Sequence, residues 1–326
     1  MVGGSSGVAP KVVFSRCLGY EACRFNGGIV HDPTVERLKD FVRAETVCPE
    51  VEIGLGIPRK PIRLIGSPSA PRLVQLETGR DVTDAMRTYS DERLDRLGAP
   101  DGFVLKYASP SCGPRDVRCY VNEQRGGAFA KTQGLFGGAV AERFPHCPVE
   151  DEGRLKNFDI RQHFFTRLFT HARFREAQRS GRMRDLVAFH TEHKLLLLAY
   201  NERRFRELGR IVANEARVPI PDAFAAYAAG LHAATENAPR RTSAINVLLH
   251  AFGYVADGLT KEEKAFFLDT LEQYRNRRVP LSVPASLMRS WIVRFDVTYL
   301  AEQVYFEPFP QELVEVLDSG KGRDSS

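Results

Sequence analysis

Cys17, Cys48 and Cys112 each follow a short apolar or turn segment, in the strings Phe14-Ser15-Arg16-Cys17, Thr46-Val47-Cys48-Pro49-Glu50 and Ser109-Pro110-Ser111-Cys112-Gly113. Thiolates are soft ligands that suit zinc or iron-sulfur clusters. Structural zinc sites draw cysteines in close pairs separated by two to four residues, and no such pair occurs here. Wide, single-cysteine spacing fits a cluster better. The competing reading is that a free cysteine is a small and often buried hydrophobe, and spacing alone leaves both open. Cys23 lies in a glycine-bounded loop that could approach the same site. Cys119 and Cys147 have no metal-like surroundings and read as structural.

Three thiolates this far apart in sequence meet only if the fold brings their loops together. The first half supplies the means: short apolar runs at Val12 to Phe14 and Gly102 to Lys106 alternate with stretches of helical period such as Pro33 to Arg43. This predicts a layered α/β domain over residues 12–169 with a mainly parallel sheet, in which loops after successive strands converge on one edge. From about Gly153 the pattern becomes helical, at Phe158 to Arg179, Arg184 to Glu215, Pro221 to Thr235, Ala244 to Ala256, Lys261 to Arg275 and Pro284 to Phe295. An all-α bundle over 170–316 is expected, with Leu195 to Leu198, Val247 to Leu249 and Phe266 to Leu268 in its core. Thr260 and Glu263 form a capping-box pattern, and Pro219 to Pro221 breaks the chain between two helices. Residues 1–11 read as a flexible leader and 317–326 as a disordered tail.

The chain has 326 residues, 43% of them hydrophobic, and carries a net charge of +5, enough for about two domains and too mild a charge to demand a polyanionic partner. The N-terminus lacks a secretory pattern. The apolar run Leu195 to Tyr200 is far short of the roughly 20 residues that cross a bilayer. A cytoplasmic location without membrane association follows as the expectation, and there the six cysteines stay reduced and available for metals.

The ordered strings SRCLGYEACRFNGG, VCPEVEIGLGIPRKPIRL, TGRDVT, SPSCGPRDV and PVEDEGRL resemble the thiouracil desulfidase family, from about Val12 to about Phe169. The resemblance implies a [4Fe-4S] cluster held by Cys17, Cys48 and Cys112, with one iron left open. The second half, through LVAFHTEHKLLLLAYN, RELGRIVA, INVLLHAFGY, YRNRRVPLSVPASLM and YFEPFPQEL, is similar to an all-helical domain of unknown function often fused to the first. Fusions of this kind resemble bacterial enzymes that take sulfur from 4-thiouridine in transfer RNA, whereas the stand-alone first domain acts on free thiouracil.

That chemistry asks for a carboxylate and a hydroxyl near the cluster. Ser109, three residues before Cys112, is the first hydroxyl candidate, and Ser111 reads as a turn-stabilising one. Glu45, three residues before Cys48, is the base candidate, with Glu50 competing. Arg16, Arg24, Arg59, Lys60 and Arg63 could position a phosphate, balance cluster charge or be ordinary surface groups. In the helical half, Arg173, Arg175, Arg179, Arg182 and Arg184, then Arg203, Arg204, Arg206 and Arg210, are interleaved with Phe174, Tyr200 and Phe205, a mixture that suits RNA but also describes a solvated helix face. His190 and His193, with Lys194 beside them, lack a third metal ligand and read as non-metal. The function expected is desulfidation of 4-thiouridine in transfer RNA. The alternatives are a free thiobase or thionucleoside substrate, a cluster-based sensor and a non-catalytic RNA-binding protein.

Overall fold

The apolar run at Val12 to Phe14 does become a central strand, and the rest of the first unit is assembled around it. The computed structural model describes residues 7–123 and 127–314, so most of the expected leader and all of the expected tail lie outside the described residues. Lys11 is already in a strand, and the chain forms two compact units, the first built on residues 9–169 and the second on 170–311.

In the first unit β1 (Lys11–Ser15) is followed by α1 (Pro33–Leu38), β2 (Arg43–Val47) and α2 (Pro49–Glu52). Next come β3 (Arg63–Ser67), β4 (Ala70–Gln75), β5 (Arg80–Asp81) and α3 (Thr83–Arg96). The unit ends with β6 (Gly102–Leu105), β7 (Val117–Tyr120), β8 (Phe129–Thr132), α4 (Leu135–Arg143) and β9 (Val149–Asp151). One sheet has the order β2-β1-β6-β9 and is wholly parallel. Its central strands are buried on both faces, which is why they read as continuous apolar runs. A second sheet, β5-β4-β3-β7-β8, is mostly antiparallel and was not foreseen from the sequence pattern. Its Leu64, Leu73, Val117 and Cys119 share a core with Val13, Phe103 and Leu105 of the parallel sheet and with Phe136 and Val140 of α4.

The expected helix Pro33 to Arg43 stops at Leu38. Asp32 caps its start through the Thr34 and Val35 amides, both at 3.1 Å. After a short 3-10 turn the chain extends at Val42 and pairs with β1 from Arg43 onward. Long-range pairing overrides the local helical period there.

The second unit is helical. It continues α5 (Phe158–Ser180) with α6 (Met183–Glu192), α7 (Lys194–Tyr200), α8 (Glu202–Ala213), α9 (Ile220–Thr235), α10 (Arg241–Phe252), α11 (Lys261–Arg275), α12 (Ser282–Arg294) and α13 (Thr298–Ala301). The single helix expected over Arg184 to Glu215 is three. His193 makes a corner, Asn201 is extended and caps α8 through the Arg204 amide at 3.1 Å, and Asn214 ends that helix in the left-handed region at φ 44°. The Thr260–Glu263 capping box is formed in both directions. Leu195, Leu196, Leu197, Val247, Leu248 and Phe267 are buried as expected. Leu249, Phe266 and Leu268 instead lie on exposed helix faces. No helix among the described residues is long and apolar enough to cross a membrane.

Candidate metal centre

Parallel pairing puts the C-terminal ends of β2, β1 and β6 side by side, and each strand hands its chain to a cysteine-bearing loop. Cys17 comes two residues after β1, and Cys48 directly follows β2 as the residue capping α2. Cys112 lies in the loop after β6. Cys48 and Cys112 are buried and Cys17 is half-buried. Cys23, fully buried, is hydrogen-bonded through its thiol to both Cys17 and Cys48. Its carbonyl accepts from the Cys48 thiol at 3.9 Å. The Cys112 thiol bonds to Ser15 and feels the charge of Glu50 and Cys48. Four sulfurs are thus gathered at one sheet edge.

Burial and sulfur-to-sulfur hydrogen bonds favour the protonated thiols of Cys23, Cys48 and Cys112 in the metal-free chain. Cys23 is pushed up to about 11, chiefly by its bond to Cys17, and Cys112 to about 12, chiefly by burial. Cys48 is also raised, first by its bond to Cys23 and then by burial. Among the described residues no three His, Cys, Asp or Glu side chains are arranged around one metal ion. A cuboidal cluster makes a different demand, because each iron takes its own thiolate and the sulfurs need not meet at a point. An all-sulfur donor set at a protected strand edge fits such a cluster.

The loop that carries Cys112 is braced by two neighbours. The Ser109 hydroxyl oxygen accepts the amides of Ser111 at 3.3 Å and Cys112 at 3.1 Å. The start of α4 donates its otherwise unpaired amides to the loop: Leu135 to the Pro110 carbonyl at 3.2 Å, and Phe136 and Gly137 to that of Ser111 at 2.9 and 3.1 Å. This approach needs glycine. A Cβ on Gly137 would lie 2.7 Å from the Cys112 carbonyl oxygen and closer still to that of Gly113.

Glu50, in the first turn of α2, sits in the middle of this arrangement. Its Oε1 accepts from the Ser111 hydroxyl at 2.7 Å and its Oε2 from Arg59 Nε at 2.7 Å. Arg59 is almost wholly buried and also donates to the carbonyls of Cys23 and Gly56, both at 3.0 Å. Ser109 and Ser111 hydroxyls are 3.0 Å apart. A chain of bonds therefore runs Ser109, Ser111, Glu50, Arg59, Cys23 and links the cysteine loops.

Glu45 is not part of it. It lies within β2, where Lys11 at 3.2 Å and Arg93 at 2.7 Å engage its carboxylate. Burial is the largest single influence on Glu45, but the two cations together outweigh it and lower its pKa. Arg16 pairs with Glu52 and Glu21 and Lys60 with Glu77, while Arg24 lies over Phe25 and Arg63 over Tyr120. Cys119 bonds the Gly66 carbonyl and Cys147 that of Pro100, away from the other four. Ser15 and Arg59 are the contributors that sequence reasoning passed over or left ambiguous. Ser15 is buried and accepts the Lys106 amide at 2.9 Å, and its only signal was a hydroxyl closing an apolar strand.

The basic runs of the helical unit are laced with acid. Arg175 and Arg179 share Glu176, Arg182 and Arg184 share Asp185, Arg203 and Arg204 share Glu207, and Arg206 pairs with Glu202. Arg173 is buried and donates to the Pro308 carbonyl at 2.8 Å. Phe174, expected as a surface aromatic, is core and stacks on Tyr227, and Phe205 stacks on His190. His190 bonds the Tyr227 hydroxyl and His193 the Phe189 carbonyl.

A model described as 2-thiouracil desulfurase matches residues 12–152, which includes every cysteine and serine of this site. An uncharacterized protein of Bacillus subtilis, YbbK, is 31% identical over 112 residues, spanning 31% of this chain and 72% of that protein. The chain belongs to the 2-thiouracil desulfurase family. Residues 194–310 match a second model, described only as a protein of unknown function, DUF1722. The uncharacterized protein YbgA of Escherichia coli is 24% identical over 127 residues, 39% of this chain and 75% of its own length. A solved structure described as a [4Fe-4S]-dependent thiouracil desulfidase, TudS, is 28% identical over 45% of this chain and 93% of its own, at a TM-score of 0.35 that is too low for the likeness to carry weight. This 2-thiouracil desulfurase domain is therefore joined to a helical region of a separate family.

Proposed function

We propose that the chain is a desulfidase that replaces the sulfur of a thiolated pyrimidine by oxygen, with a [4Fe-4S] cluster on Cys17, Cys48 and Cys112 and 4-thiouridine in transfer RNA as substrate. The convergence of buried, all-sulfur donors on one strand edge, in a member of the 2-thiouracil desulfurase family, carries the reading. When bound, a cluster with one iron not held by protein supplies a soft Lewis acid suited to a thiocarbonyl sulfur.

The chain's own groups handle the protons. Glu50 is the base: its carboxylate is held by Arg59 on one oxygen and by Ser111 on the other, so it is fixed in place with lone pairs left to accept a proton from water. Ser109 already accepts two backbone amides, which leaves its own proton to offer, either to Ser111 or to a bound substrate. Water adds, sulfide leaves and no electrons are exchanged overall. The choice of transfer RNA is supported by the fusion to the helical unit, where Arg203 and Arg206 are exposed although each is partnered by a glutamate.

Sulfide release by anaerobically reconstituted chain tests this, with thiolated transfer RNA, free 4-thiouridine and free 2-thiouracil compared at equal concentration. Turnover of the transfer RNA well above the two small substrates is expected. Preference for either small substrate would reject the RNA assignment, and no turnover of any would reject the desulfidase.

A further inference from the structure

The outer face of the second sheet carries a side-chain cluster that neither the cysteine site nor the helical unit uses. Successive residues of a strand point to opposite faces, so Arg63 of β3, Arg118 and Tyr120 of β7 and Phe129 and Lys131 of β8 stand on the face turned away from the core that holds Leu64, Val117 and Cys119. Strand pairing sets them in rungs, with Tyr120 opposite Phe129 and Arg118 opposite Lys131. The two rings are 5.8 Å apart, the Arg63 guanidinium lies 4.6 Å over Tyr120, and that of Arg118 lies 4.7 Å over Phe129. Phe129 stays 46% exposed even so.

Charge on this face is not balanced. Arg72 pairs with Asp81 and Lys131 with Asp116, both at 2.8 Å, but Arg63 and Arg118 have no carboxylate partner among the described residues. Arg203, Arg204 and Arg206 of the helical unit, by contrast, each have a glutamate. Arg63 Nη1 is buried without a hydrogen-bond acceptor. Arg118 and Lys131 put like charges directly opposite each other, which weakens a strand pair, and an anion bridging them would relieve that repulsion. The strip also begins close to the cysteine loops. Arg63 comes four residues after Arg59, which holds Glu50 and the Cys23 carbonyl, so at most about 14 Å of chain separates the two.

We propose that this strip of cations and rings binds single-stranded RNA flanking the thiolated base, with phosphates meeting Arg63, Arg118 and Lys131 and an unstacked base lying on Phe129, which Tyr120 backs. This rests on the reading of thiolated transfer RNA as substrate. Phosphate answers the unpaired charge, and the flat face of a base answers an exposed ring flanked by guanidinium planes. A strand with its bases unstacked offers both together, whereas a duplex keeps its base faces inside.

The test uses the full chain, reconstituted anaerobically, as parent, Phe129→Ala, Phe129→Tyr, Arg118→Ala and Arg118→Lys. Both positions are exposed, so melting temperature and iron per chain should match the parent. The probes are a fluorescently labelled oligouridylate and an RNA duplex of equal length, with affinity read by anisotropy across a salt series, beside sulfide release from thiolated transfer RNA and from free 4-thiouridine. Parent should prefer the single strand. Phe129→Ala should bind it roughly 5- to 150-fold more weakly, the loss of one stacked base, and Phe129→Tyr should restore binding. Arg118→Ala should reduce the log-log salt slope by about 0.7, the loss of one phosphate, and Arg118→Lys should keep it. Both alanine variants should lose preference for transfer RNA over free 4-thiouridine. If both bind the oligouridylate with parent affinity and slope while the parent turns over thiolated transfer RNA, the surface is wrong and the substrate reading stands. A parent that binds the duplex as tightly as the single strand overturns the surface too, and one that binds no RNA overturns it together with the transfer RNA reading. A parent that binds the oligouridylate through these residues yet releases no sulfide from any substrate upholds the surface and rejects the desulfidase. Should Phe129→Ala not fold, the Arg118 slopes decide alone.

Discussion

Gly137 and Gly138 are adjacent in α4, yet alanine should act on them with opposite signs. At Gly138 the new methyl would meet only Gln133, at 3.6 Å, an ordinary contact. Alanine there gains the helix preference over glycine of roughly 1 kcal/mol. At Gly137 the methyl would lie 2.7 Å from the carbonyl oxygen of Cys112, a backbone atom that cannot rotate away. To reach a normal separation of about 3.5 Å the loop must retreat by at least roughly 0.8 Å, and more at the nearer Gly113 carbonyl, and the Gly137 and Phe136 bonds to the Ser111 carbonyl, at 3.1 and 2.9 Å, go with it. Overpacking of this kind costs about 1–3 kcal/mol. The two variants should therefore differ by roughly 2–4 kcal/mol, which for a unit of this size is on the order of 5–15 °C in Tm. Calorimetric melting of metal-free chain measures the stability gap, and iron content after reconstitution reports whether Cys112 has moved. Gly138→Ala should bind iron like the parent, and Gly137→Ala should bind much less. If Gly137→Ala melts with Gly138→Ala and binds full iron, the bracing of the Cys112 loop by α4 is wrong.

Glu50→Gln should keep iron and lose about 100- to 10,000-fold in turnover, whereas Glu45→Gln should turn over like the parent and lose no more than about 1 kcal/mol of stability; the reverse ranking in single-turnover assays would return the base to Glu45. Metal-free chain should weaken in alkali: the unfolded thiols ionise near the ordinary value of 9.0, Cys23 and Cys112 only at about 11 and 12, so stability is complete below about pH 9 and falls as pH rises from there to about 12. Each thiol contributes a slope of about 1.4 kcal/mol per pH unit, Cys23 up to about pH 11 and Cys112 up to about pH 12, and equal urea midpoints at pH 8 and 10 would contradict it. Reversing Arg203, Arg204 and Arg206 should raise the Michaelis constant for thiolated transfer RNA without changing iron content; unaltered kinetics at physiological salt would show that these glutamate-paired residues do not meet the RNA.

Ser109 and Glu45 show what sequence spacing can convey. Each stands three residues before a cysteine, but three residues of turn bring the Ser109 hydroxyl to 3.1 Å from the Cys112 amide. Three residues of strand carry Glu45 about 10 Å back along β2 from Cys48. The interval was visible and the backbone that spans it was not, because β2 is a short, mostly polar edge strand defined by its pairing with β1. Glu50 was legible as a competitor, yet its tie to Arg59 and Ser111 joins residues up to 61 positions apart and has no local signature. Helices with strong local signals, such as the capped Lys261–Arg275, came through with their limits intact. The break at Asn201 does carry a local signal, asparagine followed by glutamate being a helix start, but the helical period runs across it. The arginine runs read either as an RNA surface or as a solvated helix face with Glu176, Glu202 and Glu207 among them, and the structure pairs the arginines with those glutamates one to four residues away.

Iron and acid-labile sulfide per chain, measured on anaerobically reconstituted parent beside Cys17→Ala, Cys48→Ala, Cys112→Ala and Cys147→Ala, decides whether these three cysteines hold a cluster. About four irons are expected in the parent and in Cys147→Ala, with loss of the cluster in the other three. A full cluster retained after removal of Cys17, Cys48 or Cys112 would contradict it.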